Sequence, residues 1–291
     1  MSGSEVLPVA GMPVERASML GNFARRQHNR LHFLDMLLGT IGLGKTAKVV
    51  FGKKAMGMAE VPLRLEHPDL NFPIDCTDKD VGTFNEVLFQ RVWEYSGGNG
   101  RELNGLAVVD AGASEGTSTT YLASRYPDST IFAIEPNGRN YDYLEKNARP
   151  YGSRVHTVKA ALAAEAGSIG LVNEEALTFG AHNCYLYSND FFRVGHPNVF
   201  APAITPSGII DLVGRGNRVG IFKADIEGAE IGFFRSQAAK PLLDLVDVLM
   251  IETHDQWHPG CSLAVERAAS ASGLKSYSQE GHTTIYTRLA D

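Results

Sequence analysis

The chain has 291 residues, of which 44% are hydrophobic and 21% are charged, a composition typical of folded domains. No stretch approaches the roughly 20 apolar residues of a membrane-spanning helix, and the first residues lack the basic start and apolar core of a signal peptide. The net charge of −6 and the isoelectric point near 5.9 argue against a general affinity for nucleic acid. We therefore expect a cytoplasmic protein that neither spans a membrane nor binds nucleic acid.

The cysteine pattern supports the same compartment. Cys76, Cys184 and Cys261 lie far apart, and no two of them form a C-x-x-C pair. An odd number of isolated cysteines fits reduced thiols better than a disulfide framework or a structural zinc site.

The first predicted element is a helix near residues 18–38. Its apolar stripe has one polar interruption and consists of Leu20, Phe23, Gln27, Leu31, Leu34 and Leu38. The surrounding segment, 11–55, contains eight basic and two acidic residues. Three interpretations stay open for this helix: a lid over the acceptor site, a simple covering helix, or an arm through which two copies form a homodimer. We predict that residues 1–75 are a basic, helical extension and that 76–291 are the main domain.

A nucleotide-binding P-loop pattern follows this helix. Gly39, Gly44, Lys45 and Thr46 have the required spacing, which raises the alternative of a P-loop NTPase or kinase acting through Gly39–Thr46. A P-loop needs a buried strand before its first glycine, whereas here a helical stripe precedes it. We therefore expect Gly39 to lie just past the end of the helix, and we regard the pattern as accidental.

A second glycine-rich turn has the context that the first one lacks. A buried strand over Leu106–Val109 ends in Asp110, and the turn containing Gly112 and Gly116 leads into a predicted helix at Thr117–Arg125. The next apolar strand, "STIFAIEP", ends in Glu135, whose carboxylate can accept both hydroxyls of a ribose. This strand–turn–helix–strand unit predicts an adenosine-containing cofactor.

The spacing of the turn favours S-adenosylmethionine over NAD. The pattern is D-x-G-x-x-x-G, and Ser114 stands where a pyrophosphate would need a second glycine. The acidic residues Asp110 and Glu115 would repel a pyrophosphate and attract a sulfonium or ammonium cation. The alternative is a glycine turn that merely packs a helix onto a strand.

Strands and helices continue to alternate along the rest of the chain. Further strands are predicted at 154–162, at "SIGLVNE", before Asp225 and at "VDVLMIETH", and a closing hairpin turns at Glu280–Gly281. A helix is predicted from about Gly228, and the last one at "SLAVERAASASG". We therefore predict an α/β fold with a mostly parallel, seven-stranded sheet, helices on both faces and an antiparallel hairpin at one edge.

Four stretches together resemble the FkbM family of S-adenosylmethionine-dependent methyltransferases: "VVDAGASEGTST", "FAIEPNGRNYDYLEKNA", "FKADIEGAE" and "MIETH". The resemblance covers residues 76–290. It implies a Rossmann-like class I methyltransferase fold and methyl transfer to a hydroxyl of a small molecule such as a sugar, a polyketide or another secondary metabolite. The sequence departs from the family pattern at Ser114–Glu115, and residues 1–75 have no counterpart.

The resemblance also assigns cofactor contacts. It places the methionine end near Asp110, Gly112 and Gly116, the ribose at Glu135, the adenine near Asn137 and Ala161–Leu162, and Asp225 at the closing side of the site. The full set of predicted cofactor-binding residues is Asp110, Gly112, Ser114, Gly116, Glu135, Asn137, Ala161, Leu162 and Asp225.

Methyl transfer to an alcohol requires a base at the strand ends. The candidates are Asp225, Glu227, Glu252, His254 and His182. His254 is the first choice because an ordinary histidine titrates near neutral pH; the alternative is a solvated loop histidine, and this alternative is favoured for His182.

Two further interpretations concern the acidic residues of this region. Glu230 is predicted to cap a helix. Asp225, Glu227, Glu252 and His254 have the chemistry of a divalent metal site, but spacing alone does not establish convergence, and no metal is predicted. A non-catalytic binding module on the same fold is the remaining alternative to an enzyme.

Overall fold

The computed structural model describes residues 14–97, 102–173, 185–186, 199–256 and 258–289. The chain divides into two compact units, Met1–Val61 and Pro62–Asp291. The predicted functional boundary at residues 75/76 falls inside a strand of the second unit, Ile74–Thr77, and the division of function between 1–75 and 76–291 stays a prediction.

The first unit contains one long helix, α1 (Val14–Ala55), with a break at Gly42. The predicted helix end at Gly39 is wrong, because the residue with left-handed backbone (φ 75°) is Gly42 and the helix resumes after it. The Thr46 hydroxyl donates a hydrogen bond to the Gly42 carbonyl at 2.9 Å. Gly39–Thr46 therefore lies within a broken helix, without the preceding strand that a P-loop needs.

The second unit alternates strands and helices. Its described strands are β1 (Pro62–Leu65), β2 (Ile74–Thr77), β3 (Ala107–Ala111), β4 (Ile131–Ile134), β5 (Val155–Val158), β6 (Ala161–Leu162), β7 (Ser168–Asn173), β8 (Tyr185–Leu186), β9 (Val199–Ile204), β10 (Val219–Ala224), β11 (Val246–Glu252), β12 (Lys275–Glu280) and β13 (Thr283–Thr287). Its described α-helices are α2 (Val81–Asn85), α3 (Thr117–Arg125), α4 (Gly138–Ala148), α5 (Pro206–Val213), α6 (Glu230–Arg235), α7 (Ala239–Leu243) and α8 (Cys261–Ala271).

The main sheet has seven strands in the order β12-β13-β11-β10-β3-β4-β5. Strands β11, β10, β3, β4 and β5 run parallel, and β13 runs antiparallel to both of its neighbours, β11 and β12. All six residues of β10 are buried, as expected for a central parallel strand covered on both faces. The predicted seven-stranded, mostly parallel Rossmann-like sheet with an antiparallel edge hairpin is confirmed.

Two predicted strands differ from the structure. The predicted strand over 154–162 is split, because the chain turns after β5, where the Ala160 amide donates to the Val158 carbonyl at 3.1 Å. The second half, β6, joins a separate four-stranded sheet with β9, β7 and β8. The stretch "SIGLVNE" forms β7 in that same small sheet and does not extend the main one.

The core of the second unit lies between the sheet and helices α5 to α8. Apolar side chains of the strands meet those of the helices in one cluster, which includes Val109, Phe222, Leu249, Ile209, Phe233, Leu242 and Val265. Helix α5 starts sharply because Thr205 accepts a hydrogen bond from the Gly208 amide and Pro206 fits the first turn. This packing holds the strands rigidly, so side chains at their carboxyl ends have fixed positions.

A wall segment, defined here as residues 78–93, adds short helical turns beside these strand ends. Its apolar residues Val81, Phe84, Val87 and Leu88 are buried, whereas Arg91 is exposed. Thr77 caps the first turn of the segment. Its hydroxyl and amide donate to the Asp80 carboxylate at 2.8 and 2.7 Å. The Arg139 guanidinium of α4 donates to the same Thr77 hydroxyl (2.7 Å) and pairs with Asp80 (3.1 Å), which ties the wall segment to the sheet domain.

None of the helices in the described part of the chain is both long and apolar enough to cross a membrane.

Candidate active site

A cavity of about 1170 Å³, counting its open mouth, lies at the carboxyl ends of β3, β4, β10 and β11. Ligand sites of α/β sheets lie at this edge. The predicted site residues that line it are Gly112, Ser114, Glu135, Ala161, Leu162, Asp225, Glu227 and Glu252. Four other predicted residues do not line the cavity: Asp110, Gly116, Asn137 and His254.

The turn after β3 is held by its glycines. Gly112 has φ 73°, and a β-carbon added there would lie 1.7 Å from the backbone oxygen of Asp225. Ser114 also has left-handed backbone, with φ 50°, and Gly116 (φ 97°) precedes the first residue of α3. The two backbone segments approach so closely that only glycine fits at position 112. This approach brings the turn beside the end of β10.

Two acids that were expected to face a cofactor are instead turned into the protein. The Asp110 carboxylate accepts hydrogen bonds from the hydroxyls of Ser118 (2.8 Å) and Thr119 (2.6 Å) and is fully buried. Glu115 is also fully buried and accepts from the Thr117 hydroxyl at 2.5 Å. Burial, with a smaller contribution from the charge of Asp80, raises the pKa of Glu115 to about 7. Neither carboxylate lines the cavity.

A buried lysine that sequence reasoning missed connects the turn to β10. The Lys223 ammonium lies 3.2 Å from Asp110 Oδ1, donates to the Gly112 carbonyl at 2.7 Å and lies 5.0 Å from the centre of the Trp93 ring. Burial lowers its pKa, but the negative charges of Asp110 and Asp225 outweigh that effect and raise it. The sequence does contain a signal for this lysine, because Lys223 is the single charged residue inside the apolar run "VGIFKA".

Glu135, directly after β4, is the acid best placed for a ribose. Its two carboxylate oxygens accept the backbone amides of Ser114 (2.9 Å) and Asn137 (2.8 Å). Burial raises its pKa to about 7 although both hydrogen bonds favour the charged form. Asn137 has a structural position: it caps α4 by accepting from the Asn140 amide at 3.2 Å.

His254 follows β11 and lies among carboxylates. Its Nε2 is 3.2 Å from Glu227 Oε2, 3.6 Å from Asp225 Oδ1 and 4.0 Å from Glu252 Oε1. Burial lowers the pKa of His254, but the hydrogen bond to Glu230 and the charges of Glu227 and Asp225 outweigh it and raise the pKa to about 10. These contacts favour the protonated imidazole over the neutral form that a general base needs, and the base role of His254 stays a prediction.

Glu230 has a different role from the predicted one. It is the first residue of α6 and makes no capping hydrogen bond; its Oε1 lies 2.7 Å from His254 Nδ1, and its Oε2 accepts from the Cys261 thiol at 3.2 Å. The helix starts at Glu230 instead of near Gly228 because Glu227 and Gly228 both have left-handed backbone, with φ 52° and 99°. Sequence spacing gave no signal for the contact between Glu230 and His254.

Three carboxylates of this region face the cavity: Asp225, Glu227 and Glu252. Burial, followed by the charge of Asp225, raises the pKa of Glu252 to about 8. One ligand atom each from Asp225, Glu227 and His254 lie within 4.8 Å of one another, which is compact enough for all three to contact one metal ion.

The wall segment contributes to the lining of the cavity. Its residues at the cavity are Lys79, Asp80, Thr83, Glu86, Val87 and Trp93. The remaining base candidate, His182, lies outside the described residues.

Comparison with known proteins agrees with this geometry. The Methyltransferase FkbM domain family matches residues 110–268. "Methyltransferase 1" of Beauveria bassiana (strain ARSEF 2860) is 28% identical over 169 residues, which are 51% of this chain and 64% of that relative. The chain thus matches less than two thirds of the relative's length.

Solved structures similar to this chain include the fibrillarin pre-rRNA processing protein of Methanococcus jannaschii, with 11% identity, a TM-score of 0.37 and coverage of 64% of this chain and 67% of that one. An O-methyltransferase family protein from Burkholderia thailandensis has 13% identity and a TM-score of 0.37, and the match covers 72% of this chain and 59% of that one.

Proposed function

The chain belongs to the FkbM methyltransferase family, and from this premise we propose that it is an S-adenosylmethionine-dependent O-methyltransferase. The proposed acceptor is a hydroxyl of a sugar, a polyketide or another secondary metabolite. One observation carries the proposal: a single cavity is lined both by Glu135, which suits a ribose, and by the acids Asp225 and Glu252, which suit a hydroxyl that loses its proton.

The residues present fit the cofactor. Each carboxylate oxygen of Glu135 accepts one backbone amide, and a carboxylate oxygen has a further lone pair with which to accept a ribose hydroxyl. The cavity wall at Ala161–Leu162 is apolar and suits an adenine. The glycine turn at Gly112 and Ser114 lines the cavity between these groups and the end of β10. S-adenosylmethionine, when bound, supplies a methyl group on a positively charged sulfur.

The acids at the ends of β10 and β11 provide the rest of the chemistry. Methylation of an alcohol releases a proton, and the carboxylates positioned to accept it are Asp225, Glu227 and, above its pKa of about 8, Glu252. Their negative charge also favours a cationic cofactor in the cavity. His254 contributes by holding Asp225 and Glu227 in place from behind the wall.

The charge of the cavity supports a neutral acceptor. Its lining contains the acids Asp80, Glu86, Glu135, Asp225, Glu227 and Glu252, and the cations Lys79 and Lys223. Lys223 is already paired with Asp110. Negative potential of this kind disfavours a phosphate or carboxylate acceptor and is compatible with a sugar or polyketide hydroxyl.

Calorimetric titration with S-adenosylhomocysteine tests the proposal. We expect micromolar binding that Glu135→Ala weakens, and no binding of ATP with magnesium to wild type or to Lys45→Ala, because Gly39–Thr46 lies within a broken helix that no strand in the described residues precedes. Absence of S-adenosylhomocysteine binding, or ATP binding that depends on Lys45, would contradict the proposal. The alternative of a binding module without activity is tested with a panel of hydroxyl acceptors. Methyl transfer to an acceptor must be measurable, and its rate must fall in Asp225→Asn.

We also propose a homodimer formed through the N-terminal helix. The described part of α1 exposes Leu43 and Phe51, and Met56 directly after it is also exposed, which supports burial against a second copy. Light scattering that gives a monomer mass at micromolar concentration would contradict this proposal. A cytoplasmic location is likewise proposed, supported by the buried free thiols of Cys76 and Cys261, and tested by cell fractionation.

A further inference from the structure

Four carboxylates surround one imidazole at the edge of the cavity. Glu230 contacts Nδ1 of His254, and Asp225, Glu227 and Glu252 lie 3.2 to 4.0 Å from Nε2. A protonated imidazole balances one of these charges. Lys223, which lines the same cavity, is paired with Asp110. Within the described ranges, the carboxylates of the cluster therefore outnumber its cations.

The histidine is oriented as a metal ligand is. Its side chain is only 4% exposed, and Glu230, which is fully buried, fixes the ring through Nδ1 at 2.7 Å. This leaves Nε2 directed toward Asp225 and Glu227 on the cavity side. A carboxylate that holds the far nitrogen of an imidazole is the usual support of a metal-binding histidine, because it fixes the ring and makes the other nitrogen more basic.

One carboxylate oxygen of the cluster accepts no hydrogen bond from the described residues, although its side chain is 29% exposed. Asp225 Oδ1 is inaccessible to solvent and accepts no hydrogen bond among the described residues. A buried carboxylate oxygen without a hydrogen bond is costly. Its neighbours at the same point are His254 Nε2 at 3.6 Å and Glu227, whose nearest oxygen is 3.2 Å from that nitrogen.

We propose that Asp225 Oδ1, Glu227 Oε2 and His254 Nε2 bind one divalent cation at the edge of the cavity, and that the ion displaces the Nε2 proton of the imidazole into solvent. The three ligand atoms lie within 4.8 Å of one another, and ligands bound to one ion at about 2.1–2.3 Å are separated by no more than this distance. Two carboxylate oxygens and one imidazole nitrogen form a mixed hard donor set that suits Mn²⁺.

An ion held by three protein ligands has further coordination positions that another molecule can occupy. Asp225 and Glu227 line the cavity, so an ion held by them is open to a small molecule there. A hydroxyl bound to such an ion loses its proton more readily, since the positive charge stabilises the alkoxide. This role rests on the proposed function, whereas binding of the ion does not.

The experiment measures Mn²⁺ binding to the full chain without cofactor or acceptor, by electron paramagnetic resonance. We expect one saturable site with micromolar affinity. Glu227→Gln removes a ligand at a partly exposed position and should weaken binding at least thirtyfold, as should Asp225→Asn. Glu86→Gln removes a negative charge that lines the same cavity outside the cluster and should change the affinity less than threefold.

A second readout locates the ion. Mn²⁺ at this site broadens the imidazole resonances of His254 and leaves those of His156, an exposed residue of β5, unaffected. Absence of saturable binding below 1 mM overturns the proposal, and so does binding that neither Glu227→Gln nor Asp225→Asn weakens.

Titration of the same samples with S-adenosylhomocysteine separates this proposal from the proposed function. Binding of the nucleoside without Mn²⁺ binding overturns the metal site alone. Mn²⁺ binding without nucleoside binding overturns the proposed function and leaves the metal site supported.

Discussion

The Glu230 carboxylate and the His254 imidazole form a 2.7 Å hydrogen bond from which solvent is excluded on both sides. Glu230 starts helix α6, and His254 follows strand β11, so the bond joins two elements that the sequence separates by 24 residues. Through this contact the helix determines which way the ring faces, and therefore where Nε2 meets the acids of the cavity. Glu230 is a positioning residue.

Glu230→Ala should lower kcat for methyl transfer by about tenfold to a hundredfold, in line with the loss of a charged hydrogen bond of about 1.5–3 kcal/mol. Glu230→Gln keeps an oxygen that can accept from Nδ1 and should recover most of that loss. The affinity for S-adenosylhomocysteine should change less than twofold in both variants, because Glu230 acts through His254 and does not line the cavity.

Steady-state kinetics and calorimetry check this prediction, with the exposed Glu266→Ala on α8 as the control. Equal losses in Glu230→Gln and Glu230→Ala would contradict the positioning role.

Cofactor affinity should depend on pH through Glu135. Burial raises the pKa of this acid to about 7, and the ionised carboxylate is the form that accepts two ribose hydroxyls. Protonation therefore competes with binding, so the affinity for S-adenosylhomocysteine should rise from pH 6 to pH 8, by roughly tenfold per pH unit well below the pKa, and level off above it.

Glu135→Gln should bind S-adenosylhomocysteine about ten- to a hundredfold more weakly at pH 8 and show a flat profile. The same substitution at the exposed Glu165 should leave the wild-type profile unchanged. A pH dependence that persists in Glu135→Gln would assign the titration to another group.

Gly112→Ala should be far more harmful than substitution of another glycine with left-handed backbone. The new β-carbon would lie 1.7 Å from the Asp225 backbone oxygen, so β3 and β10 must separate at their ends. We expect a loss of about 3 kcal/mol or more in the free energy of unfolding and loss of S-adenosylhomocysteine binding.

Gly105→Ala is the matched control, because Gly105 has φ 93° and nothing lies within 4 Å of an added β-carbon. Backbone strain alone should cost it about 1–2 kcal/mol, and nucleoside binding should survive. Urea unfolding of both variants measures the difference, and equal losses would refute the steric argument.

Lys223→Met should leave Asp110 as an unpaired buried charge, which costs about 3–5 kcal/mol in the free energy of unfolding. Adding Asp110→Asn should recover part of that loss, so the two changes should be non-additive in urea denaturation. Lys240→Met, which breaks an exposed pair with Asp244, should cost less than about 1 kcal/mol. Additive losses for Lys223 and Asp110 would show that the pair is not coupled.

The sequence predicted the parts of the fold that depend on local pattern. Helix α3 has the predicted bounds Thr117–Arg125, because a glycine turn and an apolar strand mark its start within a few residues. The buried strands ending at Glu135 and Glu252 were recognisable for the same reason, and their parallel pairing brings both acids to one edge of the sheet.

The parts that failed depend on contacts between distant residues. Asp110 and Glu115 have the sequence signature of cofactor contacts, yet one oxygen of each accepts hydrogen bonds from hydroxyls of α3. The pKa of His254 depends on three carboxylates of another stretch, Asp225, Glu227 and Glu230, and sequence spacing does not predict their combined effect. The break in α1 was misplaced because Gly39 and Gly42 are equally suited to it by residue type.

The close approach of Gly112 to the Asp225 carbonyl limits which parts of the site can be altered by substitution during evolution. The turn proposed to bind the cofactor and the acid proposed for the acceptor side are in van der Waals contact through their main chains, so a change in the shape of one also affects the other. The wall segment at residues 78–93 lines the same cavity from a different stretch of chain. Directed evolution toward new acceptors should therefore accumulate substitutions at Thr83, Val87 and Trp93 and leave the Gly112–Asp225 junction unaltered.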